Sequence, residues 1–151
     1  MKKALFLIAA ASAFGLASPM LLAHTDEVLD TQKAPNGGQL RMAGVYHYEL
    51  VVAKDSKEAK DNAVVVYVTD HAGIKVPTTG VSGMATIMAG KSKATATLIP
   101  DGDNRLKGTA KYVSVPDMKV VVSITFPGKA AEQARFTPLA AAKDGHTDHK
   151  H

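Results

Sequence analysis

The sequence predicts an all-β domain, an antiparallel β-sandwich of immunoglobulin-like size with about seven to eight strands. Three observations carry that expectation. Short runs rich in Val, Ile, Thr and Tyr recur along the chain, the composition that suits a pleated, half-buried surface. Clusters of Gly, Pro, Asn and Asp separate those runs at intervals of roughly 8 to 12 residues. No stretch sustains the apolar period of an amphipathic helix. A closed barrel made of the same strands is the alternative.

The first 23 residues read as a signal peptide, with Lys2 and Lys3 ahead of an apolar run from Ala4 to Ala17 that is short for a membrane span. Cleavage is expected after Ala23, with Ala17 as a rival site, and the product would be periplasmic. Residues 24–34 form a polar arm, residues 35–139 the β-domain, and residues 140–151 a disordered tail of small, polar and histidine residues.

Within the domain, Pro35 to Gly38 is a turn, because Pro presets φ and Asn-Gly-Gly tolerates positive φ. After Gly44 a strict alternation sets in. Tyr46, Tyr48, Leu50 and Val52 should face a core, and Val45, His47, Glu49 and Val51 the other side. Residues 54–62 are a charged connection, and Ala63 to Thr69 is β-branched enough for a strand buried on both faces. Asp70 to Gly73 turns the chain into a brief edge segment at Ile74 to Pro77. Residues 81–89 and 92–99 make a half-buried hairpin, with Val81, Gly83, Ala85 and Ile87 opposite Ser82, Met84, Thr86 and Met88. Strands follow over 105–115, 118–126 and 132–139, with Ala134 and Phe136 on one side of the last.

Composition narrows the function. The chain has no cysteine, so it has neither disulfides nor thiolate metal ligands, and aromatic residues make up only 5% of it. Its formal charge is +4. Part of that resides in Lys2 and Lys3, and the basic residues form no stripe interleaved with aromatics, so nucleic acid is not an expected partner. No nucleophile elbow, phosphate-cradling glycine loop or helical His-Glu-x-x-His occurs, and no enzyme is expected.

Histidine carries the functional signal. All 6 histidines follow residue 23, and imidazole suits copper, zinc and nickel. His146, His149 and His151 could wrap around one ion. His24, if cleavage exposes its α-amine, forms a bidentate chelate of the kind copper(II) favours, and His47 or His71 could add a third nitrogen. His47 and Glu49, two apart on one strand face, could share a cation or meet water. Met42, Met84, Met88 and Met118 read as packing residues, with thioether binding of copper(I) as the alternative.

The stretches Pro35-Asn36-Gly37-Gly38-Gln39, Gly44-Val45-Tyr46-His47-Tyr48-Glu49-Leu50-Val51 and Tyr67-Val68-Thr69-Asp70-His71 resemble small exported β-domain proteins found with heavy-metal resistance systems. They are also similar to the β-domain of periplasmic adaptor subunits of heavy-metal efflux pumps. Those relatives often have His where Asn36 stands. The resemblance implies a periplasmic role in metal handling, with copper favoured and an efflux complex as a possible partner. A non-catalytic module that docks on an efflux or envelope assembly is the other reading.

Overall fold

The computed structural model describes residues 25–141. The expected signal peptide, His24 and the tail histidines His146, His149 and His151 lie outside the described residues.

A five-residue helix, α1 (Asp26–Asp30), comes first, followed by eight strands. These are β1 (Gln39–Ala43), β2 (Tyr46–Val52), β3 (Lys60–Asp70), β4 (Ser82–Ala89), β5 (Ser92–Pro100), β6 (Arg105–Tyr112), β7 (Lys119–Thr125) and β8 (Glu132–Phe136). Every strand that the sequence predicts is present. The segment Ile74 to Pro77 is reduced to one isolated bridge, Thr69 with Lys75. Helix α1 was not legible in the sequence because five residues barely exceed one turn. Its signals are local ones: Thr25 accepts from the Val28 amide, and Asp26 and Glu27 occupy the first turn, where negative charge meets the positive end of the helix dipole.

The arrangement corrects the sandwich expectation. All eight strands join one antiparallel sheet in the order β1-β2-β3-β6-β5-β4-β7-β8. Strand β5 pairs along β4 from Gly83–Leu98 to Ala89–Ser92. Its last residues then cross to β6 through Ile99–Lys107 and Pro100–Leu106. That handover merges what would be two stacked sheets into one curved surface. The outer edges, β1 and β8, come side by side. Gln39 spans the gap, its Oε1 accepting from the Thr137 amide at 2.8 Å across a sequence separation of 98. The result is a nearly closed Greek-key barrel, in which β4, β5 and β6 follow one another as hairpins while the β3–β4 and β6–β7 connections cross over.

The predicted alternations set the inside of the barrel. Tyr48, Leu50, Val64, Val66, Val68 and Ile124 are fully enclosed, and each such side chain withdrawn from water contributes about 1.5–3 kcal/mol. Ala134 and Phe136 face inward as expected. Strand β3 differs from its prediction: Val64, Val66 and Val68 are buried, but Ala63 is exposed and Val65 and Tyr67 are partly so. The β-branched run reflects strand propensity here, not cover on both sides. Met118 is core, but Met84 (51% exposed) and Met88 (39%) lie on the outer face. Those two share a face, yet they stand four positions apart along the strand, about 13 Å, too far for one ion.

Two enclosed phenols give the barrel an alkaline limit. Burial, helped by nearby Glu132 and Tyr46, pushes the Tyr48 hydroxyl well above its ordinary range. Burial also raises Tyr112, although the Ala53 amide donating to its oxygen works against this. A phenol raised in the folded state contributes stability that is fully present below its unfolded pKa, about 10, and lost as pH climbs through the folded value. Tyr48 and Tyr112 should therefore ionise only as the barrel unfolds. The part of the phenolate absorbance that Tyr48→Phe and Tyr112→Phe remove should appear in the same step as the loss of far-ultraviolet circular dichroism. Ionisation of either phenol with the strand signal intact would contradict this.

Candidate functional site

The site lies on the outer face of β1, β2 and β3. Residues opposite one another in a ladder point the same way, so the pairs Leu40–Glu49, Met42–His47, Glu49–Tyr67 and His47–Thr69 build one continuous patch. From the sequence, His47 and Glu49 on that face could share a cation or meet water. In the structure that face is roofed: His47 is 6% exposed and Glu49 3%.

The roof is the arm ahead of β1, held at two points. From the other face of β1, where it stands opposite Tyr48, the Arg41 guanidinium fixes the start of the arm at α1, with Nη1 2.7 Å from Asp30 Oδ1 and Nε 3.6 Å from Asp26 Oδ2. Farther along, Gly37 adopts a φ of 73° and closes the predicted turn. That turn sets its donors on Glu49. The Asn36 amide donates to Oε2 at 2.9 Å and to Oε1 at 3.2 Å. The Asn36 side chain donates at 3.0 Å and the Gly38 amide at 2.9 Å. The Glu49 oxygens therefore act as a clamp for the turn.

Between the arm, the sheet and the turn after β3 lies a cleft of about 450 Å³. Gln32, Lys33 and Asn36 line it from the arm, His47 and Glu49 from β2, Tyr67 and Thr69 from β3, and His71 and Lys75 from the following segment. Asp70 shapes that segment, its Oδ1 accepting from the amides of Ala72 and Ile74 at 2.9 Å each. The turn carries His71 over His47, so that their rings stack with centroids 4.9 Å apart and planes 17° apart. Nε2 of each ring is shut off from solvent.

Of the residues named from sequence, His47, Glu49 and His71 thus meet at one cleft. Among the described residues, no group of three or more His, Cys, Asp or Glu side chains is placed to hold a metal. The donor set fits a metal only as an imidazole pair. Lone pairs lying in nearly parallel planes do not converge, and nitrogen–metal bonds are about 2.0–2.1 Å, so one ring must turn before both can reach one ion. His71, on a turn and half-buried, is the ring with room to do so. Sequence reasoning missed Arg41, Lys33 and Lys75. An isolated lysine carries no local signal, but an arginine inside a short apolar strand does, since burial there demands a partner.

No protein-family model, curated protein or solved structure matches the chain.

Proposed function

We propose that this chain is a periplasmic protein that binds a transition metal ion, copper favoured over zinc or nickel, in heavy-metal resistance or homeostasis. The observation that carries the reading is the stack of His47 on His71 inside a cleft. Two imidazoles from separate segments, each with its Nε2 buried, meet there. Copper(II) stands highest among divalent ions in affinity for nitrogen sites, so a site with few protein ligands retains it most readily. The basic, then apolar, start of the chain supports export. His24 and the tail histidines His146, His149 and His151 are further donors in this reading. Glu49 stays with its turn.

Equilibrium titration with copper and zinc, by competition against a chromophoric chelator, tests the reading. His47→Ala or His71→Ala should each weaken copper binding by at least about a hundredfold, and a chain lacking residues 146–151 should keep the domain site. If deletion of the tail abolishes binding and the two substitutions do not, the cleft is not the site. If the intact chain binds no metal, the docking module becomes the better reading.

A further inference from the structure

We propose that the cleft is a binding site for a small aromatic carboxylate, one or two fused rings in size. The inference goes beyond the metal reading and does not depend on it, because it uses the two imidazoles as they stand, stacked on one another. Charge, ring content and a wall already in place carry it.

Lys33 from the arm and Lys75 from the segment after β3 both line the cleft. Both are exposed, and neither joins an ion pair among the described residues. Glu49 is the cleft's one carboxylate among the described residues, and the donors of Asn36 and Gly38 already occupy it. The charge left for a guest is therefore positive, and a concave wall focuses that field on what enters. An ammonium group has only donors to offer, so the pair selects an anion that accepts hydrogen bonds.

The body of the guest follows from the rest of the lining. His47, His71 and Tyr67 bring three flat rings to one cleft, with Pro35 and Leu40 adding apolar surface. The imidazoles are stacked at 4.9 Å and 17°, and a planar guest meets such rings by offset stacking or edge to face. An inorganic anion uses none of that surface. The volume of about 450 Å³ lies within the range of small-molecule sites, about 300–1,000 Å³, and far exceeds what a phosphate requires. The roof is pinned by Glu49 before any guest arrives, so binding does not have to supply the ordering of the arm.

Isothermal titration of the full chain, stripped of metal on a chelating resin, with 2-naphthoate tests this. A one-to-one complex is expected. The uncharged 2-naphthamide, of the same shape, should bind about tenfold more weakly. The double substitution Lys33→Gln with Lys75→Gln should bring naphthoate down to the level of the amide and leave the amide unchanged, a pattern that loss of the fold does not give. His71→Ala should weaken both. Equal affinity for naphthoate and naphthamide, displacement of naphthoate by an equal concentration of inorganic phosphate, or naphthoate bound only once copper is added overturns the proposal. Absence of naphthoate binding overturns it as well, while the copper titration decides the metal reading separately.

Discussion

Glu49→Ala should destabilise the domain by about 3 kcal/mol and release the arm from the sheet. The carboxylate is nearly inaccessible and accepts from two backbone amides and one side-chain amide of the turn. Hydrogen bonds to a charged acceptor are worth about 1.5–3 kcal/mol each, and removal of the acceptor leaves sheltered donors without it. Domains of this size have only about 5–15 kcal/mol in total, so the change is large. The denaturation midpoint should fall with little change in slope, and the amides of Asn36 and Gly38 should lose protection from hydrogen exchange. Glu49→Gln, which keeps one acceptor oxygen, should fall between. A loss below about 1 kcal/mol in Glu49→Ala, with those amides still protected, would show that the turn holds itself.

Gly108→Ala should cost a comparable amount, about 3 kcal/mol, by a steric route. A β-carbon there would overlap the carbonyl oxygen of Thr97 and come within 3.1 Å of its carbon and 3.2 Å of Leu98 Cδ2. A backbone carbonyl cannot swing aside as a flexible side chain does, so β5 and β6 must part or the chain must bend. The site matters because β5 passes from β4 to β6 next to it. Chemical denaturation of the variant measures the cost. A loss under about 1 kcal/mol would mean that the two halves of the sheet separate freely there, and the molecule would behave as two packed sheets.

These variants mark the divide between what was legible in the sequence and what was not. The inward residues of β2 follow from the alternation Tyr46, Tyr48, Leu50, Val52, because strand period is a local property. The cover over His47 and Glu49 does not. It is supplied by a turn 11 to 13 residues earlier, and nothing in His-Tyr-Glu distinguishes a polar face against water from one beneath a roof. The closure of the sheet was hidden for a similar reason. The same strands serve a sandwich or a barrel, and the choice rests on two residue pairs between β5 and β6 and on Gln39 meeting Thr137. The proximity of His47 and His71 was an open expectation, since Asp70 and the glycine at 73 announce a turn but not where it lands.

The contact between Gln39 and Thr137 has a consequence for how this domain can be built into larger assemblies. The backbone enters the barrel and leaves it at almost the same spot. A unit with that geometry can be spliced into a surface loop of another polypeptide without prying its host apart. It can likewise hang from a membrane tether or a carrier protein by a single stalk, its far rim turned outward.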